Sequence, residues 1–345
     1  MLKKIALAIL VVLALLLIWQ HELVSYGLMQ ARGQLRILTN TRPIADVLTD
    51  PAVPDSVKQK VRLIQEIKTF AVDSLGLNPS GSYTSFYDQQ GKPILWVITA
   101  AQPYSLVAEE WDFPVIGMFS YKGFFEKPRA DSAVNDLKKK GFDTRVGEVS
   151  AWSTLGFLRD PILSSMTDRS AGSLAELILH ELTHGTLFIK NGLTYNENLA
   201  DFVGEYGATR FLAQKYGPKS VEYRDYLAAK LFYERYDGHV LRGTKALDSL
   251  YRTIKPGTPV AIKDALKWQL ISQVVASADT LTDDRPATLP KKRRWNKLNL
   301  PNNAYFVGYL TYRKQQNQFR TEFEQRFRGD FRAYLSYLKQ TYPSL

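Results

Sequence analysis

From Ser173 almost to its end, the chain places apolar residues at intervals of three and four, and this spacing commits half of its architecture to helices. Helical segments are predicted near 173–190, 196–215, 220–237, 242–254, 260–279 and 303–340, separated by Gly and Pro signals. A polar, proline-punctuated connection, 281–302, carries Lys291-Lys292-Arg293-Arg294. The first half reads differently. Residues 29–54 hold Pro43, Pro51 and Pro54 and no sustained period, so a connector is expected there. A helix is predicted from Asp55 to Leu75, with Val57, Val61, Ile64, Ile67, Phe70 and Ala71 on one side and Gly76 as its stop. Strand-like runs follow at Ser82–Tyr87, Ile94–Ala100, Pro114–Phe125 and Phe142–Trp152, with a helix at Ala130–Lys140. The fold class expected is therefore α+β: a small, mainly antiparallel sheet crossed by one helix, then a largely helical region. Residues 1–28 stand apart, and 29–345 are expected to form one unit with an α/β part, 29–172, and a helical part, 173–345.

The chain has no cysteine, which excludes disulfides, thiolate metal sites, a thiol nucleophile and a lipid anchor on an N-terminal cysteine. Its net charge is +11 and unevenly placed: from Arg285 onward there are thirteen Lys or Arg against three Asp or Glu. Such a basic face can attract anionic lipid headgroups or an acidic partner, or simply be a solvated helical surface. No nucleic-acid motif accompanies the charge, so nucleic acid is not an expected partner.

Lys3 and Lys4 precede an unbroken apolar run from Ile5 to Trp19. At 1.5 Å per residue it spans about 22 Å, short of the roughly 30 Å hydrocarbon layer, and the length also suits a signal peptide. No small-x-small cleavage site follows, and Leu23, Val24, Tyr26 and Leu28 prolong the apolar character. A retained single-pass anchor in the inner membrane is expected, with the two lysines cytoplasmic and the body extracytoplasmic, or periplasmic.

His180-Glu181-Leu182-Thr183-His184 is an H-E-x-x-H motif. Ser173 and Glu176 form an S-x-x-E capping box ahead of it, and Gly192 can end the helix. On that helix the two histidines lie one turn apart, about 40° round the axis, so both imidazoles can reach one metal ion. Glu181 sits beside that site and can accept a proton from a water on the ion. A catalytic zinc site needs a third protein ligand and an open position. Glu197 and Asp201 share a face of the next helix. Glu205 lies on nearly the same face and is a rival, while Thr194 and Glu197 also fit a capping box.

Asn196-Glu197-Asn198-Leu199-Ala200-Asp201 resembles the N-E-x-x-x-D element of thermolysin-like and neprilysin-like zinc peptidases, the gluzincins. The resemblance implies a zincin-like catalytic region, one Zn2+ ion held by His180, His184 and Glu197, and Asp201 as a partner orienting His180. The twelve-residue gap from His184 to Glu197 is shorter than in longer-linked gluzincins and implies two helices joined by a tight turn. The body from about Tyr26 onward also resembles a bacterial family described as predicted aminopeptidases. The stretches that carry this are Arg32-Gly33-Gln34-Leu35, Thr41-Arg42-Pro43-Ile44, Trp111-Asp112-Phe113-Pro114-Val115, Ser120-Tyr121-Lys122-Gly123-Phe124-Phe125, Ser153-Thr154-Leu155-Gly156, the block from His180 to Gly207 and Asn302-Asn303-Ala304. Many relatives carry an N-terminal lipid-anchoring cysteine and a cysteine pair flanking Phe-Pro-Val; here Asp112 and Met118 hold the latter places, so that bridge is lost.

The function expected is zinc-dependent hydrolysis of peptide bonds, as an aminopeptidase, with Glu181 as general base toward a peptide or protein substrate. An endopeptidase, or a non-catalytic membrane-tethered scaffold with a structural metal, is the alternative. Tyr195, His239, Tyr305 and Tyr312 are available as oxyanion donors, and Glu205, Asp201 or Glu148 as acids for a free substrate amine. Ser150–Gly156 is a candidate edge strand for pairing with substrate.

Overall fold

Helix α1, His21–Thr39, is the first element of the fold and corrects the connector expected from residue 29. Residues 3–4, 19–113, 117–148, 158–190, 192–278, 281, 300–312 and 316–342 are described by the computed structural model. Met29, Gly33 and Ile37 recur at four along α1 and are buried, but Leu23, Leu28 and Leu35 are exposed apolar residues off that stripe, so the periodic signal is thin. The Tyr26 hydroxyl and the Gln30 amide both donate to the Gly123 carbonyl, at 2.9 and 2.7 Å. The residues counted as prolonging a membrane anchor thus belong to a helix tied to the protein body. Among the described residues no helix is long and apolar enough to cross a membrane. That overturns the expected single-pass placement with an extracytoplasmic body; residues 5–18 of the apolar run lie outside the described residues.

Among the described residues the β part is three small sheets. Strand β1 (Arg42–Pro43) pairs antiparallel with β2 (Ser85–Tyr87), which pairs parallel with β8 (Ile162–Leu163). Strand β3 (Trp96–Ala101) lies between β6 (Lys122–Phe124) and β7 (Asp143–Glu148), antiparallel to both. Strands β4 (Trp111–Phe113) and β5 (Gly117–Phe119) form a hairpin in which Asp112 lies opposite Met118. Asp112 and Met118, the positions at which the family resemblance implies a cysteine pair, are therefore cross-strand partners. Helix α4, Lys127–Lys139, lays Ala130, Val134 and Leu137 on Ile98, Ala100 and Phe124. This is the helix-crossed antiparallel sheet that alternation in the sequence predicts.

Short helix α2 (Ile44–Thr49) leads to α3 (Asp55–Phe70), which runs through a π turn, Ala71–Leu75, to Gly76 at φ 76°. The helical half comprises α5 (Ala171–His184), α6 (Leu193–Tyr216), α7 (Val221–Thr253), α8 (Val260–Ala278), α9 (Asn303–Tyr312), α10 (Gln316–Phe327) and α11 (Phe331–Thr341). Helix α7 is one element where two were expected: Gly238 stays helical, at a cost of about 1 kcal/mol that burial of Val240, Leu247 and Tyr251 exceeds. The single segment expected at 303–340 is broken where Arg328 and Gly329 take φ of 48° and 84°; residues 313–315 lie outside the described residues. The polar connection is largely outside the described residues.

The main core joins both halves. Ile64, Ile67 and Leu75 from the α3 region, Ile162 from β8, Leu174 and Ile178 from α5, Phe202 from α6 and Phe323 and Tyr334 from the last helices form one cluster. Full burial of each such side chain contributes about 1.5–3 kcal/mol. Helices α5 and α6 are thereby gripped on several sides, and they carry the site.

Candidate metal centre

Helix α5 begins one turn earlier than the capping box suggests. Ser170 is its N-cap and accepts from the Ser173 backbone N–H, at 3.3 Å. Glu176, expected to close that box, is instead turned inward and accepts from the Tyr226 hydroxyl at 3.0 Å. Burial and the charge of Glu205 push its carboxyl up. Gly192 does not end α5, which stops at His184; it is the N-cap of α6. The linking turn is clasped by buried Asn196, whose Oδ1 accepts from Ile189 N at 2.9 Å and whose Nδ2 donates to Ile189 O at 2.8 Å. The helices approach closely at Gly204, where a Cβ would meet the Glu176 carbonyl oxygen at 2.8 Å.

That approach brings three donors together. His180 Nε2 and His184 Nε2 are 3.2 Å apart, and Glu197 reaches them at 3.6 Å (Oε2 to His180) and 3.7 Å (Oε1 to His184). Ligands placed tetrahedrally about 2.0–2.1 Å from one ion lie roughly 3.3 Å apart, so this donor set fits a zinc-sized cation. Two nitrogens and a carboxylate are also the donor types such an ion takes. Asp201 Oδ1 stands 3.0 Å from His180 Nδ1, which directs the other ring nitrogen toward the cluster. The His184 ring is buried, with Phe188 edge-on at 5.9 Å, and its Nδ1 has no hydrogen-bond partner among the described residues.

The electrostatics favour positive charge between these groups. Burial alone would push His180 down, but hydrogen bonds to Asp201 and Glu197 and the charges of Asp201 and Glu181 outweigh it and push it up to about 10. Burial and the neighbouring His180 charge push His184 down to about 4. Burial would raise Glu197; the two imidazoles more than offset this and lower it. Of the two rings, His180 is thus the one favoured to carry the additional proton and the positive charge, where a cation would replace it.

Glu181 is half-buried next to this cluster in sequence, and two tyrosines sense its charge. Tyr83 is fully buried with its backbone at φ 62°, a conformation costing about 1–3 kcal/mol outside glycine. Burial, then Glu181 and Asp160, raise its phenol. Tyr121 lies between β5 and β6; burial, then Glu197 and Glu181, push it up to about 12.

Other sequence candidates lie elsewhere. Glu205 is buried and paired with Lys230 at 2.9 Å and Arg320 at 3.0 Å. Glu148 is exposed at the end of β7. Tyr195 packs against Phe319 and Tyr342, with ring centroids 5.0 and 4.9 Å away. Tyr305 bonds to Tyr236 and Tyr309, and His239 Nε2 meets the Val274 carbonyl at 2.8 Å. The Tyr312 side chain and Ser150–Gly156 are outside the described residues.

Over residues 25–342 the chain matches the model of a family described as "putative aminopeptidase". The chain belongs to this family. No curated protein and no solved structure is matched by it. Membership in the aminopeptidase family implies a peptidase acting on a peptide substrate. In this aminopeptidase-family chain, sequence reasoning missed that the phenols of Tyr83 and Tyr121 sense the charge of Glu181. The only signal for Tyr121 was its place in Ser120-Tyr121-Lys122-Gly123, a stretch that carries the family resemblance.

Proposed function

We propose that the protein is a zinc-dependent aminopeptidase of gluzincin type, in which His180, His184 and Glu197 hold one Zn2+ ion and Glu181 is the general base. The observation that carries this reading is the convergence of three donor atoms, all within 4.8 Å of one another, beside that glutamate. When bound, zinc supplies Lewis acidity: it acidifies water and polarises a carbonyl. The rest falls to the chain itself. Glu181 takes the proton of the attacking water and returns it to the leaving amine as the C–N bond breaks. Asp201 holds the proton on His180 Nδ1 and so fixes the ring's tautomer. The shared core supports the α/β part and the helical part acting as one catalytic unit.

The exopeptidase assignment rests on the family. One observation favours an endopeptidase as the second reading: Asp201 and Glu205, two acids available for a substrate amine, are engaged with His180 and with Lys230 and Arg320. Paired assays on a free-amine peptide and its N-acetylated form separate the two. For the zinc reading, His184→Ala is expected to lose the metal. Glu181→Gln should keep it while hydrolysis falls roughly 100- to 10,000-fold. Metal content together with turnover checks both, and a Glu181→Gln chain that still cleaves at the original rate ends the reading.

A further inference from the structure

We infer that helix α7 is a brace for the metal centre, with Tyr226 and Lys230 as its positioning residues: the first grips the helix that carries the histidines, the second the helix that carries Glu197 and Asp201. The inference deepens the zinc-peptidase reading and rests on it. Each residue acts on the metal-binding donors through the helix it holds.

Both grips are specific polar contacts. The Tyr226 hydroxyl donates to Glu176 Oε2 of α5 at 3.0 Å. Lys230 Nζ lies 2.9 Å from Glu205 Oε2 of α6. Their places along the helices correspond: Glu176 stands one turn before His180, Glu205 one turn after Asp201, and Lys230 one turn after Tyr226. A single face of α7 thus reaches both helices within a turn of the site. Between the grips, α5 and α6 approach to backbone distance: a Cβ at Gly204 would lie 2.8 Å from the Glu176 carbonyl oxygen and 3.4 Å from the His180 Cβ. Sliding of either helix at this point would carry His180 away from Asp201 and Glu197.

The surroundings suit both contacts to holding a fixed geometry. Tyr226 is 6% exposed, and its ring occupies the space that a side chain at residue 172 would need: a Cβ on Gly172 would come within 2.5 Å of it. Burial and the charges of Glu176 and Glu205 push the Tyr226 phenol well up, so it stays a donor. Glu205 is buried as well, and a buried carboxylate needs a counter-charge. Lys230, with 17% of its side chain exposed, supplies a sheltered one. Arg320 of α10 lies 3.0 Å from the same oxygen but is 45% exposed, so solvent screens it more. Glu234, the other acid near Lys230, is farther away at 3.9 Å. Buried directional contacts of this kind select one register between helices that apolar packing alone would let slide.

The test uses the full chain with Tyr226→Phe, with Lys230→Met and with both. Arg252→Met is the control, since Arg252 pairs with Asp248 on the exposed surface of the same helix. Affinity for Zn2+ is measured by chelator competition at one pH, well below the melting temperature of each metal-free chain. It should fall roughly three- to thirtyfold in each single variant. A brace fails when either end is released, so the double variant should fall little further than the weaker single one. The visible absorption of the Co2+-loaded chain reports how the ligands stand about the ion. It should change in both single variants and stay the same in Arg252→Met. Lys230→Gln, which keeps a donor, takes the place of Lys230→Met if that chain does not fold. Wild-type Zn2+ affinity and cobalt spectrum in either single variant, or losses that multiply in the double variant, overturn the brace alone. A wild-type chain that binds neither Zn2+ nor Co2+ overturns the zinc reading, and the brace with it.

Discussion

His180 is the residue on which the site turns, because it answers to four acceptors or charges at once: Asp201, Glu197, Glu181 and the neighbouring imidazole. An imidazole must be neutral at the nitrogen that ligates a metal, and His180 is pushed up to about 10 when no cation is present. On the proposed reading, zinc uptake should therefore release its proton. The sign follows: below that value affinity rises with pH, by about tenfold per unit for one proton, and it levels off above. Asp201→Asn keeps the shape but removes the charge that stabilises the imidazolium. The plateau should then begin at lower pH, while affinity on the plateau falls roughly 10- to 100-fold from loss of the orienting carboxylate. Competition with a coloured chelator from about pH 6 to 11 measures both quantities. An unchanged pH profile in Asp201→Asn would place the source of the His180 shift elsewhere.

At the scale of elements, the site is a property of how α5 and α6 pack. Gly204 lets α6 lie against the backbone of α5 beside Glu176, one turn before His180. Gly204→Ala forces a methyl group toward the Glu176 carbonyl, and a backbone atom cannot rotate out of the way. The expected cost is about 1–3 kcal/mol of stability, with weaker zinc binding because Glu197 moves away from the histidines on the displaced helix. Gly207→Ala is the control: its nearest neighbours are the Leu179 and Leu75 side-chain ends at 2.6 and 2.8 Å, which can move, so it should cost less. Melting curves with and without zinc rank the two variants. Equal zinc affinity in Gly204→Ala and wild type would mean that the helix spacing does not set the donor geometry. The Asn196 clasp works at the same scale, since it makes a short turn hold a fixed shape and so sets where Glu197 emerges.

Across the whole molecule, metal and fold should be linked. The core that backs α5 and α6 draws on α3, β8 and the last two helices, so tightening the site tightens all of them. A cation that binds only the folded chain stabilises it by about 2.7 kcal/mol at a hundred times its Kd. The melting temperature should rise by a few degrees with zinc and fall again on adding a chelator. Glu181→Gln should show the same shift, since that residue is proposed as a base and not as a ligand, whereas His184→Ala should show none. A shift that survives His184→Ala would locate the stabilising ion at another site.

The sequence alone determined what depends on neighbours within a turn or two: the α+β order of elements, α3 up to its glycine stop, the helix-crossed antiparallel sheet, and two histidines on one helical face followed by an acid pair four residues apart. Those features follow from the periods of 3.6 and 2, which are written locally. It misread features whose local signal was weak or ambiguous, such as the N-terminal helix with its sparse buried face, the unbroken α7, and the serine that caps α5. Only the tertiary structure decided that Glu197 meets both imidazoles while Glu205 is taken up by Lys230 and Arg320. Those are contacts between segments distant in the chain, and they are set by packing, which no short window of sequence contains.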